Sequence, residues 1–88
     1  MTNVVEAQRR PHMNYQKVKL NKLAMGRRIA SVILQAHYSF EDVAKILGLS
    51  SVRTVYYWTK GTKLPSLENL VNIALMFNKK LEDLIILD

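Results

Sequence analysis

The chain has 88 residues and a formal net charge of +6, and it contains no cysteine. This length supports one small domain with little room for a buried catalytic cleft, and the lack of thiols excludes disulfides and thiolate metal sites. No apolar block stands at the N-terminus and no apolar run is long enough to cross a membrane, so we expect a soluble cytoplasmic protein without membrane association.

The first part of the chain is basic and irregular. Residues 1–13 show no sustained periodicity, and Pro11 would break any helix there. We expect them to form a flexible basic arm, and residues 14–88 to form the domain. Residues 14–21 alternate loosely, which predicts a short extended or irregular lead that packs its apolar side chains on the domain: Tyr15, Val18 and Leu20.

Helical periodicity begins at Lys22 and predicts a first helix that extends to about His37. Gly26 weakens the beginning of this helix, because glycine has a low helix propensity. Apolar residues recur along it at helical spacing: Leu23, Met25 or Gly26, Ile29, Val32, Ile33 and Ala36.

A second helix is predicted over about residues 39–47. Ser39 can cap its free amides, and the acidic residues Glu41 and Asp42 in its first turn favour the positive end of the helix dipole. Gly48 then ends the helix in a tight turn. Small and apolar residues share its inner face, where another helix can cross closely: Val43, Ala44 and Leu47.

A third helix follows over about residues 51–60, with Ser50 or Ser51 as its cap. Val55 and Trp58 point inward at a spacing of three residues, and we expect both in the core. The outward positions form a basic and aromatic stripe: Arg53, Tyr56, Tyr57 and Lys60. Two short helices joined by a glycine turn are typical of a helix-turn-helix.

The rest of the chain predicts two more helices. Gly61 ends the third helix as a left-handed cap, and a linker leads to Ser66, which caps the fourth. Asn78 is a second stop, and a last short helix follows it. The apolar face of the fourth helix is broad: Leu67, Leu70, Val71, Ile73, Ala74 and Phe77. We therefore predict five helices around one core.

The charge is unevenly distributed. Residues 1–28 carry seven Lys or Arg against one acid, whereas residues 29–88 carry six charges of each sign. No acid occurs between Asp42 and Glu68, so the predicted helix pair is locally basic, through Lys45, Arg53, Lys60 and Lys63. A basic surface beside an exposed helix indicates binding to a phosphate backbone; a merely soluble basic surface is the alternative.

The order and spacing of these motifs resemble those of the lambda-repressor-like (XRE/Cro-type) helix-turn-helix transcriptional regulators. The resemblance covers roughly residues 15–88 and rests on Gly26-Arg27-Arg28-Ile29, Ala44, Leu47-Gly48-Leu49-Ser50, Val55 to Trp58, Gly61, Leu64-Pro65-Ser66, Asn69-Leu70 and Leu81-Glu82-Asp83-Leu84. It implies a compact all-α DNA-binding domain of five helices. The implied function is sequence-specific repression from a double-stranded DNA operator, by a homodimer of prokaryotic or phage type that needs no cofactor.

The resemblance also implies that the third helix enters the major groove and reads bases. Arg53 is the first candidate, because a guanidinium can donate two hydrogen bonds to guanine, worth about 1–3 kcal/mol of discrimination. A phosphate clamp is the alternative role for Arg53. Val52 can only contact an apolar group such as a thymine methyl. The full set of implied base-reading residues is Ser51, Val52, Arg53, Thr54 and Tyr57.

Phosphate contacts are expected from Ser39, Lys60, Lys63 and Asn69. Asn69 lies at the amide end of the fourth helix, where free N–H groups and the helix dipole favour anions. We expect Lys60 and Lys63 to contribute additively. In the arm, Arg9 and Arg10 are possible further DNA contacts, and a solvated tail is the alternative.

The sequence departs from the family pattern at two places. Phe40 stands where many relatives have a glutamine that braces the second helix against the DNA backbone, so that polar contact is lost. Phe40 is expected either to be buried against the lead segment or to be an exposed apolar contact. Relative to the shortest members of the family, the chain has one additional residue between Gly48 and Val55. The residues in between can therefore be matched to the family pattern in two ways that differ by one position.

No catalytic or metal site is predicted. His12 and His37 lie far apart without partners for a zinc site, and the neighbouring carboxylates of Glu41-Asp42 and Glu82-Asp83 project in different directions. RNA binding is disfavoured, because the sequence predicts no sheet on which bases could stack.

The alternative function is a protein-binding module, such as an antitoxin or antirepressor, whose main contact is a regulatory protein partner. The C-terminal run Leu84-Ile85-Ile86-Leu87 is a candidate surface for a second copy or for such a partner. The alternative is that this run closes the core.

Overall fold

Between residues 16 and 88, the part of the chain that it describes, the computed structural model contains four α-helices and one 3-10 helix. In chain order these are α1 (Lys22–Gln35), α2 (Phe40–Ile46), α3 (Arg53–Lys60), α4 (Leu67–Met76) and the 3-10 helix Leu81–Asp83. The all-α architecture with a helix-turn-helix is confirmed, but the predicted fifth helix is a single 3-10 turn. None of these helices combines the length and apolar character that a membrane crossing requires. The predicted arm, with Arg9 and Arg10, lies outside the described residues.

Side chains and left-handed residues set the ends of the helices. The Asn21 side chain caps α1 by accepting a hydrogen bond from the Ala24 amide at 2.9 Å. The helix ends at Gln35, slightly earlier than predicted, because His37 has a positive φ of 63°. Asn78 adopts a positive φ of 54° just after α4 and is the stop that the sequence predicts.

All four α-helices and the 3-10 turn contribute to one core. Trp58 of α3 is only 3% exposed, so its predicted inward position is confirmed. Leu84 is fully buried, and the first residue of the C-terminal apolar run therefore closes the core. The other buried apolar side chains are Met25, Ile29, Val32, Ile33, Val43, Ala44, Val55, Leu70, Ile73 and Ala74.

The apolar face predicted for the fourth helix is only partly correct. The sequence predicts Leu67 and Val71 on the apolar face of this helix, but their side chains are 66% and 39% exposed. Leu75, one turn further on, is 73% exposed. These three residues lie four apart and form a ridge on the outer side of α4, opposite the side that buries Ile73. We call them the α4 ridge.

The lead segment is attached mainly by its backbone. Leu20 forms an isolated antiparallel bridge with Leu87, and the Asp88 amide donates to the Lys19 carbonyl at 2.8 Å. The predicted packing of its apolar side chains is wrong for Val18 and Leu20, which are 60% and 43% exposed. The contacts that hold residues 19–21 to the C-terminal residues are backbone hydrogen bonds, and the predicted packing of Tyr15 lies outside the described residues.

Candidate nucleic-acid interface

A capping box fixes the start of α2. The Ser39 hydroxyl accepts a hydrogen bond from the Asp42 amide at 3.0 Å, and the Asp42 carboxylate accepts one from the Ser39 amide at 2.9 Å. The hydrogen bond from the Ser39 amide, followed by the one with the Ser39 side chain, lowers the pKa of the Asp42 carboxyl below its ordinary value. The predicted cap is confirmed, and the Ser39 hydroxyl is already engaged within the helix.

The turn between α2 and α3 depends on Gly48, which has a φ of 69°. This left-handed conformation lets the next amide, of Leu49, donate back to the Ala44 carbonyl at 2.9 Å. The Leu49 side chain is then half-buried against the core. Gly48 and this hydrogen bond therefore define the turn from α2 to α3.

Val52 precedes α3 and makes no side-chain cap hydrogen bond, so neither serine is the predicted N-cap, but Ser51 contacts the first turn. Its hydroxyl accepts a hydrogen bond from the Arg53 amide at 3.0 Å. The helix begins at Arg53, two residues later than predicted, so Ser51 lies in the turn. Val52 is half-buried and packs against the core, which leaves only part of its side chain available for a thymine methyl.

The outer face of α3 carries three of the predicted contact residues. Arg53, Tyr57 and Lys60 lie four and three residues apart, so they share one face of the helix. Arg53 and Lys60 are exposed and Tyr57 is half-buried. Val55 and Trp58 anchor the opposite face in the core. A rigid helix therefore presents two cations and an aromatic ring to solvent.

The loop after α3 folds back on Tyr57. The Tyr57 carbonyl accepts hydrogen bonds from the amides of Thr62 and Lys63, at 3.0 and 3.4 Å. Gly61 makes this return possible with a φ of 72°, and the predicted left-handed cap is confirmed. The Lys63 ammonium lies 5.3 Å from the centre of the Tyr57 ring, within the range of a cation–π interaction. Sequence reasoning placed both residues at the interface but missed their contact.

The start of α4 is less open to an anion than the sequence suggests. The Ser66 hydroxyl accepts a hydrogen bond from the Asn69 amide at 3.1 Å, so that N–H group is already satisfied. The Asn69 side chain is half-buried. A phosphate contact by this residue would therefore involve its carboxamide and not its backbone amide.

Phe40 of α2 packs on α3. Its ring meets the Tyr56 ring edge to face, with centroids 5.0 Å apart and planes at 80°. Phe40 is half-buried and Tyr56 is 40% exposed. Neither expectation for Phe40 is correct, because the ring lies across the α2–α3 junction. The aromatic pair joins the two helices on their outer side.

The predicted site residues divide by exposure. Ser51, Arg53, Lys60 and Lys63 are exposed, whereas the half-buried members are Ser39, Val52, Thr54, Tyr57 and Asn69. Within residues 16–88, no three His, Asp or Glu side chains come close enough together to hold a metal ion. The exposed set on α3 and its flanking loop is cationic, and its chemistry suits a phosphodiester backbone with base edges beside it.

Comparison with protein families supports the same assignment. Residues 29–84 match the model of the helix-turn-helix family HTH_3. This match runs from the middle of α1 through the helix pair and α4 to Leu84 at the end of the 3-10 turn. None of the curated proteins matches the chain by sequence.

Several solved structures are similar in fold. The restriction-modification controller protein C.AhdI from Aeromonas hydrophila superposes with a TM-score of 0.65 at 22% identity, over 73% of this chain and 96% of that one. The BldD DNA-binding domain from S. venezulae gives a TM-score of 0.64 at 17% identity, over 74% and 96%. A crystal structure of the DNA-binding domain of BldD gives 0.63 at 17% identity, over 74% and 93%.

Proposed function

Because the chain belongs to the lambda-repressor-like helix-turn-helix family, we propose that it is a transcriptional regulator that represses by occupying a specific DNA operator. One observation carries this proposal: the outer face of α3 presents Arg53 and Lys60 while the opposite face is held in the core. A helix of this kind can lie in the major groove with its first residues near the base edges. The cytoplasm is the compartment we propose for it.

Arg53 is the proposed base reader. It is the first residue of α3 and is exposed, so its guanidinium can reach a base edge at the helix N-terminus. Ser51 and Thr54 flank it, and Val52 supplies a small apolar contact. Lys60 and Lys63 are the proposed phosphate contacts, because each adds an exposed positive charge beside the same face. Ser39 and Asn69 are secondary candidates, since each already takes part in a helix cap.

The proposed partner in solution is a second copy of the chain, held through the α4 ridge. The ridge has a leucine at each end, Leu67 and Leu75, and Val71 at its centre. A twofold axis at the centre therefore places Leu67 of one copy against Leu75 of the other. Glu68 is the single charge within α4, which leaves the ridge itself uncharged. The antiparallel arrangement also brings Glu68 toward the exposed Lys79 and Lys80 that follow the other helix.

The first experiment is selection of bound sites from a random duplex library, with the full chain and its Arg53→Ala variant compared across a salt series. Arg27→Ala is the matched control, because it also removes one exposed arginine charge but lies on α1, outside the proposed DNA contacts and the proposed contact between copies. An inverted repeat in which Arg53→Ala reduces the base preference at one base pair supports an operator-binding dimer. Enrichment of no sequence, with binding lost at moderate salt, contradicts the proposal and favours a protein-binding module.

A further inference from the structure

Tyr57 and Lys63 are in contact across the end of α3. We propose that Tyr57 is a positioning residue for Lys63, and that the two side chains engage the DNA backbone as one coupled unit. This inference rests on the proposed function, because it concerns how the chain contacts DNA. It differs from the additive contributions that the sequence suggests for the lysines, since it makes the contribution of Lys63 depend on an aromatic ring.

The backbone around the pair limits where Lys63 can go. The Tyr57 carbonyl accepts hydrogen bonds from both Thr62 and Lys63, so the lysine backbone is held to the residue whose ring it covers. On the other side of the loop, Leu64 packs against the core and Pro65 is buried. Lys63 is therefore an exposed side chain on a segment that is fixed at both ends.

The chemistry of the contact leaves Lys63 able to bind an anion. At 5.3 Å the ammonium is attracted by the ring quadrupole, and unlike a carboxylate partner, the ring does not neutralise its charge. A free lysine loses side-chain entropy when it binds a phosphate, and a lysine already held against a ring loses less. Replacing the ring should therefore weaken the phosphate contact even though the charge is kept.

Lys60 provides the contrast. It is an exposed cation on the same face of α3, but the ammonium that lies over the Tyr57 ring is that of Lys63. If Tyr57 acts by positioning, its removal affects the binding energy that comes from Lys63 and leaves that from Lys60 unchanged. If Tyr57 acts only through a contact of its hydroxyl with a base, its removal changes the sequence preference. The binding energy that comes from Lys60 and from Lys63 then stays the same.

A double-mutant cycle tests the inference. Binding to a duplex oligonucleotide is measured across a salt series for the full chain, Tyr57→Leu, Lys63→Ala and the double variant. Lys63→Ala should reduce the slope of log K against log salt by about one. In the Tyr57→Leu background, the same lysine change should cost less than half the fold-change in affinity that it costs in the unaltered chain. Tyr57→Phe keeps the ring and should keep the larger cost.

The matched control is Lys60→Ala, which should cost the same fold-change with and without Tyr57→Leu. Equal costs of Lys63→Ala in both backgrounds would overturn the inference while leaving DNA binding intact. Absence of binding by the unaltered chain to any duplex would overturn the proposed function and this inference with it.

A proton NMR spectrum without DNA adds a second readout: the Lys63 methylene signals should be shifted by the ring in the unaltered chain and in Tyr57→Phe but not in Tyr57→Leu. An unshifted signal in the unaltered chain would also overturn the inference.

Discussion

Gly26 of α1 lies directly against the carbonyl oxygen of Trp58 in α3. A Cβ atom at Gly26 would lie 2.6 Å from that oxygen, 2.7 Å from the Thr59 carbonyl oxygen and 2.8 Å from the Gly61 nitrogen. All three atoms belong to backbone, which cannot move away as a side chain can. The end of the proposed recognition helix therefore rests on α1 with no side chain between them.

Gly26→Ala should destabilise the fold, although alanine is the better helix former by about 1 kcal/mol. The clash requires α1 and α3 to separate, and overpacking of this kind costs about 1–3 kcal/mol. Urea unfolding followed by circular dichroism measures the net effect. Gln35→Ala, at an exposed position of the same helix, is the control and should change stability little. A more stable Gly26→Ala variant would show that the two helices are not in contact here.

Trp58→Ala should lower the melting temperature, the helical signal and DNA binding together. The side chain is 3% exposed, and removal of a buried aromatic side chain costs about 3–5 kcal/mol, a large fraction of the stability of a small domain. Tyr56→Ala, which removes a 40% exposed ring from the same helix, should cost less. Loss of binding by Trp58→Ala at unchanged stability would mean that the indole contacts DNA and is not part of the core.

The capping box of α2 should make stability depend on acid pH. The pKa of Asp42 is lowered in the folded chain, chiefly by the hydrogen bond from the Ser39 amide, so its stabilising effect is present above the ordinary carboxyl pKa of about 4. The effect is lost as the pH falls through the lower pKa of the folded state. Melting temperatures of the unaltered chain and Asp42→Asn should therefore differ at neutral pH and converge in acid.

Glu41→Gln is the control for Asp42, because it removes a neighbouring charge from the same turn and keeps the Ser39–Asp42 hydrogen bonds. Its melting temperature at neutral pH should fall less than that of Asp42→Asn, because only the attraction of Glu41 to the helix dipole is lost. A difference between Asp42→Asn and the unaltered chain that is constant with pH would contradict the assigned pKa shift.

The α4 ridge predicts which surface change separates two copies of the chain. Leu75→Lys places a charge on a side chain that is 73% exposed, so it should leave the melting temperature of the monomer unchanged while weakening self-association. Sedimentation over a concentration series measures the association. Leu34→Lys, at a position of α1 that is 57% exposed, is the control and should associate as before. Equal association of all three chains would exclude the ridge.

Local signals explain how much of the fold the sequence predicts. The caps at Ser39 and Gly61 and the inward Trp58 depend on residues within one or two turns, so pattern reasoning identifies them. The exposure of Val71 and Leu67 depends on how α4 lies against the rest of the domain, and periodicity alone does not contain that information. The predicted fifth helix is a single 3-10 turn, and the hydrogen bond that the Asp83 carboxylate accepts from the Lys80 amide caps its start.

The candidate site is less predictable than the helices that carry it. The family pattern identifies Arg53 and Lys60, because their positions follow from the numbering of one helix. The contact between Tyr57 and Lys63 forms only because the loop reverses at Gly61 and its amides return to the Tyr57 carbonyl. Such a contact depends on tertiary structure and not on helical periodicity. The Phe40–Tyr56 pair likewise cannot be predicted from the sequence of either helix alone, because it forms only where α2 and α3 cross.

Gly48 has a further consequence that concerns chirality. A Cβ atom added there would meet no atom within 4 Å, yet the residue holds a φ of 69°. Handedness, and not lack of room, is therefore the reason why glycine is favoured at this position. A D-alanine introduced at Gly48 by chemical synthesis would favour this φ and restrict the unfolded chain, so the turn between α2 and α3 would become more stable than it is with glycine.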